Sequence, residues 1–148
     1  MTKDIVKKLV INSMKRVKIG IFYLENDMIE EARKEIQKSW RQIMSALLIL
    51  NLYNAEEKQF THYNVPRSKI FSVSKSLEDK GYRDLIKISS MYFSSLQELP
   101  KSEIKILITV FIKEEIEHIK EWFKAIWDEK LDDELNEIKK EKQWLIQS

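Results

Sequence analysis

Two histidines and no cysteine occur among the 148 residues, so few side chains here can offer a metal nitrogen or sulfur ligands or pass a proton near neutral pH. His118 closes the stretch Glu115-Ile116-Glu117-His118. On a helix, an acid and a histidine three residues apart share one face, the pairing by which di-iron bundles hold metal. Such a centre needs a second pair of the same kind, and the sequence has none. The Glu115–His118 pair is therefore read as an exposed charge cluster, and no metal site is assigned. His62 stands in a polar stretch with Tyr63 beside it and Arg67 close behind. A histidine, a tyrosine and an arginine at a loop–helix junction suit anion binding or proton transfer. His62, Arg67 and Arg41 form the candidate ligand-binding set, weighed against an ordinary surface histidine. No catalytic residue and no cofactor is assigned.

The absence of cysteine excludes disulfides, thiolate zinc sites and cysteine nucleophiles. No phosphate-binding P-loop, GxGxxG turn, HExxH helix or Gly-x-Ser-x-Gly elbow occurs. Four tryptophans, Trp40, Trp122, Trp127 and Trp144, offer faces on which bases could stack. Trp40 fits an inward helical stripe and reads as core. Trp122, Trp127 and Trp144 fall nearer the polar faces and read as interface residues, with Phe111 from the same helix as the first two. Lys3, Lys7, Lys8, Lys15 and Lys18 crowd one side of the first segment. They suit phosphate contact, against the plainer reading of a solvated face.

The elements that must position these residues are helices. Only two glycines and two prolines are present, too few for the tight turns and bulges of a β protein. The apolar share of 43% and charged share of 34% belong to a folded chain, and the length suits one domain. No apolar run approaches the span of a bilayer, and the lysine-studded N-terminus is unlike a secretory signal, so a cytoplasmic protein without membrane contact is expected. Abundant Lys, Glu and Ile suit a thermophile.

Periodicity places the first helix from about Thr2 to Leu24, with Ile5, Leu9, Val10, Met14, Val17, Ile21 and Leu24 on one face and Gly20 letting a neighbour approach. Asn26 or Asp27 caps a second helix that runs to about Tyr53, its stripe being Met28 or Ile29, Ala32, Ile36, Trp40, Ile43, Leu47 and Leu50. The two form a long antiparallel hairpin. A polar loop follows to Pro66. A third helix spans about Pro66 to Lys80 and ends at Gly81 as its C′ residue. A fourth spans about Tyr82 to Gln97, with Leu85, Ile88, Tyr92 and Leu96 in its stripe. A fifth spans about Pro100 to Trp127, with a broad stripe from Ile104 to Ile126. Residues 1–128 read as an all-α bundle domain and 129–148 as a charged C-terminal helical extension carrying Leu131, Leu135, Ile138 and Leu145. The expected architecture is thus a single-domain bundle of five to six helices with a long N-terminal hairpin.

Helix order and particular residues carry a family resemblance: Glu31-Ala32 and Lys38-Ser39-Trp40 in the second helix, His62 after it, Ile70-Phe71-Ser72-Val73 with Leu77, then Gly81 and Leu85. Over about residues 10–125 the chain resembles the HEPN-like helical domains, within them the archaeal PaREP-type paralogous family. That family carries a Leu-His-x-Asn-Phe-Tyr-Glu stretch late in its fourth helix. Here the segment Tyr92 to Glu98 keeps only Glu98 and the apolar character of Tyr92 and Leu96. HEPN ribonucleases resemble one another in an arginine four to six residues before a histidine. No arginine stands so before His62 or His118; Lys113, five before His118, lacks the planar fork. The wide apolar stripe of the fifth helix and the peripheral tryptophans exceed what a single five-helix layer covers, and HEPN-like domains commonly dimerise, so a homodimeric binding or interaction module without catalysis is expected. The rivals are an RNA-directed nuclease or toxin, and a nucleic-acid-binding subunit of a larger complex with nucleotide or RNA as partner.

Overall fold

A computed structural model describes residues 2–51 and 65–147, with side chains placed over 3–51 and 65–141. The described residues form six α-helices and one 3₁₀ turn, with no strand among them. They are α1 (Thr2–Glu25), α2 (Ile29–Leu50), the turn η1 (Arg67–Lys69), α3 (Ile70–Glu78), α4 (Leu85–Ser94), α5 (Lys101–Trp122) and α6 (Glu129–Gln147). None is long and apolar enough to cross a membrane.

The hairpin of α1 and α2 is the most extensive packing in the molecule. Gly20 marks a close approach there. A Cβ on it would lie 2.9 Å from Ile36 Cδ1, closer than carbon atoms pack, so a larger residue obliges the end of the Ile36 side chain to shift. The turn between the two helices corrects the expected cap. Asp27 ends α1 instead of starting α2: it adopts a left-handed backbone with φ 59°. Its N–H donates to the Leu24 carbonyl at 3.1 Å and the Met28 N–H to that of Tyr23 at 2.8 Å, the paired bonds of a Schellman ending. An aspartate tolerates this conformation better than most residues, and Lys101 holds its carboxylate at 2.8 Å. α2 starts after Met28 without a side-chain cap.

Gly81 does what its position implies. At φ 107° it occupies C′ of the same kind of ending, with Gly81 N–H bonded to Glu78 O at 3.0 Å and Tyr82 N–H to Leu77 O at 3.3 Å. α4 begins at Leu85, three residues later than the expected start at Tyr82 and level with the first residue of its stripe. Asp84 before it is also left-handed, at φ 64°, and the first turn is capped from outside by Glu78, whose Oε2 accepts the Ile86 N–H at 2.7 Å.

α2 sits at the centre, touching α1, α3, α4 and α5. Its buried face follows the expected stripe from Ile29 through Ala32, Ile36, Trp40, Ile43 and Leu47, while Met28 is exposed. In α1 the buried register is one residue off at its start: Val6 is buried and Ile5 exposed. Trp40 is fully enclosed, edge-on to Phe111 and Trp122 at centroid distances of 5.9 and 5.6 Å. Its indole N–H donates to Ser89 Oγ at 3.1 Å, Ser89 and Ser74 share a bond at 2.8 Å, and Ser74 Oγ donates to the Ile70 carbonyl at 2.7 Å. One chain of hydroxyls thus satisfies the buried indole across α2, α4 and α3.

The C-terminal helix folds back. α6 lies along α1 and α5, burying Leu131, Leu135 and Ile138. Lys7 pairs with Asp128 at 3.1 Å, Lys18 with Glu134 at 3.3 Å and with Glu137, and Lys120 with Asp132 at 3.1 Å. Two members of the lysine face on α1 are therefore neutralised by the protein's own carboxylates. α5 ends at Trp122, short of the expected Trp127, and a turn carries the chain through Phe123 and Ile126, both buried, into α6.

Candidate functional site

The stretch around Glu115 and His118 is the chemically richest region, and α5 sends its two groups to different places. Glu115 points into the core and is 1% exposed. The surrounding space is lined by Met14 and Val17 of α1, Ile116 and Ile119 of α5, and Leu135 and Ile138 of α6, with no volume for a water molecule. From α2, Ser39 Oγ lies 3.2 and 3.3 Å from the two carboxyl oxygens and 3.1 Å from the Ser13 carbonyl. Burial in this apolar wall pushes the Glu115 carboxyl up to about 8, opposed by the Ser39 hydrogen bond. The protonated acid fits the geometry: its O–H can donate to Ser39 Oγ while the serine hydroxyl donates to Ser13 O. The sequence reading of Glu115 as an exposed charge is thus corrected. Its i−4 and i+4 neighbours Phe111 and Ile119 share the buried stripe, and that stripe was the available signal.

His118 faces the link between α3 and α4. Nδ1 lies 2.7 Å from the Glu114 carbonyl and Nε2 2.8 Å from Asp84 Oδ2. The ring stacks on Trp122 at 5.2 Å and 19°. Both ring nitrogens face oxygen acceptors, so both contacts are hydrogen bonds only when each nitrogen carries a proton. Because Glu78 caps α4, the Asp84 carboxylate is free to turn toward the histidine. The Trp122 N–H donates to the Arg83 carbonyl at 2.9 Å, Arg83 grips Glu121 through two bonds of 3.0 Å, and Lys87 meets Glu114 at 3.1 Å. The Glu121 and Glu114 carboxylates raise the basicity of Arg83 and Lys87 respectively. These groups satisfy one another and fasten the α3–α4 link to α5. Beside them a cavity of about 210 Å³ is lined by Asn51, Lys80, Gly81, Tyr82, Glu121, Trp122, Lys124 and Ala125.

The candidate ligand set is not assembled by the described residues. His62 lies outside them. Arg41 is half-buried on α2, its Nε enclosed without a hydrogen-bond partner among the described residues. Arg67 is exposed in η1, two residues after Val65, whose N–H donates to Ser45 Oγ at 2.9 Å one turn along from Arg41. The candidate interface residues are corrected in part. Phe111 and Trp122 are buried, at 0% and 2% exposure, because both pack on Trp40. Trp127 is half-buried, its indole N–H on Asp132 Oδ1 at 2.9 Å. The Trp144 side chain lies outside those described. Among the described residues no group of three metal-ligating side chains converges.

The class that this architecture defines is an all-α helical bundle. No family model, curated protein or solved structure matches the chain.

Proposed function

We propose that this chain is a non-catalytic, HEPN-like interaction module that works as a homodimer. One observation carries the reading. Of the eight large apolar side chains exposed among the described residues, six lie on the second half of α1, the two links beside it and the first half of α5. Ile19 and Phe22 belong to the last turns of α1, Met28 to the α1–α2 turn, Leu99 to the α4–α5 link, and Ile106 and Val110 to the first half of α5. The Lys101–Asp27 pair joins the α1–α2 turn to the start of α5, and a groove of about 450 Å³ there is lined by Met28, Leu99, Ile104, Glu30 and Glu31; Ile106 and Val110 follow on the exposed face of α5. Exposed apolar side chains that adjoin on a surface mark association sites. The polar clusters support the same reading, because His118 and Glu115 are each engaged in holding helices together.

The experiment is the solution mass of the full chain by light scattering and sedimentation equilibrium over a rising concentration series. A mass climbing to twice that of the monomer is expected at micromolar concentration and above. A monomer throughout, or RNA cleavage by the purified chain, overturns the proposal.

A further inference from the structure

We infer that the second copy docks on the outer face of α5 and runs antiparallel to it about a two-fold axis level with Ile108. The inference deepens the homodimer reading and rests on it. Positions 103, 106, 110 and 113 recur at three- and four-residue steps, the spacing of a helix–helix seam. They are Glu103, Ile106, Val110 and Lys113. Ile106 is 65% exposed, the largest exposure among the big apolar side chains described, and Val110 follows one turn later. The flanking charges stand out for a different reason. Lys101, Glu114, Lys120 and Glu121 of the same helix all form ion pairs within the subunit. Glu103, Lys105 and Lys113 form no ion pair among the described residues, and of these Glu103 and Lys113 fall on the face of Ile106 and Val110.

Charge order selects the arrangement. A parallel pair of α5 helices sets Glu103 against Glu103 and Lys113 against Lys113, two like-charge contacts. An antiparallel pair centred at Ile108 sets Ile106 on the partner subunit's Val110 and Glu103 beside the partner subunit's Lys113. Symmetry repeats each contact, so a four-residue apolar centre is closed at both ends by opposite charges. Sliding the axis to Val110 replaces these with Ile106 on Glu114 and Glu103 on Glu117, which leaves the apolar centre unmatched and opposes two carboxylates. The seam from 103 to 113 is only about 15 Å long at the helical rise per residue, which puts the contact in the small, weakly associating class.

The test is a charge swap in the full chain, read by sedimentation equilibrium, with circular dichroism checking that each variant folds. Glu103→Lys alone and Lys113→Glu alone are each expected to weaken dimerisation by about tenfold, since each creates two like-charge contacts. The double variant rebuilds both pairs with the signs exchanged and is expected to return to within about threefold of the original. Lys38→Glu, an exposed reversal on α2, controls for net charge and is expected to leave the dimer unchanged. Single reversals without effect, or a double variant as weak as the singles, overturn the seam while leaving a dimer formed elsewhere. A parent chain that stays monomeric overturns both proposals.

Discussion

Glu115 shows how a single side chain can set the pH response of a fold. Its carboxyl is enclosed by three helices with only Ser39 to bond it, and burial raises it to about 8. In the unfolded chain it returns to the ordinary carboxylate range near pH 4 to 4.5, an approximate reference. Between those values the folded protein holds a proton that the unfolded chain has released. Stability contributed by this proton is fully present below the unfolded value and is lost as pH rises through about 8, with a slope approaching about 1.4 kcal/mol per pH unit. Glu115→Gln keeps the shape and cannot ionise. Urea unfolding from acid to mildly alkaline pH is expected to show a steep decline for the parent and a flatter one for the variant. Parallel curves would refute the assignment.

At the scale of elements, the molecule is held by fastenings between helices that are remote in sequence. Trp122, His118 and Glu121 sit on one side of α5 at four- and three-residue spacing, and all three reach the Arg83–Asp84 link. Asp84 is strained at positive φ, at a cost of about 1 kcal/mol for a residue with a Cβ, and the His118 contact offsets it. His118→Ala removes the ring stack and the bond to Asp84. A loss of about 1–2 kcal/mol is expected, measured by chemical unfolding. Amide exchange is expected to quicken in α3 and α4 and to stay slow in the α1–α2 hairpin. Uniform quickening across all helices would argue against a local clasp.

For the whole molecule, the decisive event is the return of α6. It covers much of the apolar stripe of α5 that the five preceding helices leave open, and it neutralises Lys7 and Lys18 on α1. On α5 itself the exposed large apolar side chains are Ile106 and Val110, on the face turned away from that stripe. This separates stability from association. Ile106 is 65% exposed, so Ile106→Asp is expected to change unfolding stability by no more than about 0.5 kcal/mol while abolishing the dimer. Thermal unfolding and light scattering on the same sample check both halves. A large drop in melting temperature would place Ile106 in the monomer core instead.

The all-helical character, the hairpin, the stripe of α2, the close approach at Gly20 and the ending at Gly81 are legible in the sequence because they depend on local rules: apolar spacing, the scarcity of breakers, and the size and freedom of glycine. Periodicity shows which face of α5 is apolar, but not which helix will cover it or that Glu115 will be carried inside with that face. Asp27 looks like a cap, since its type favours both roles, and only the packing of α2 on α1 selects the left-handed ending. Tertiary structure alone decided that His118 and Glu115 part company, that Phe111 and Trp122 close on Trp40, and that α6 folds back. The physical reason is that burial and partner choice depend on contacts between segments tens of residues apart, which no local spacing encodes.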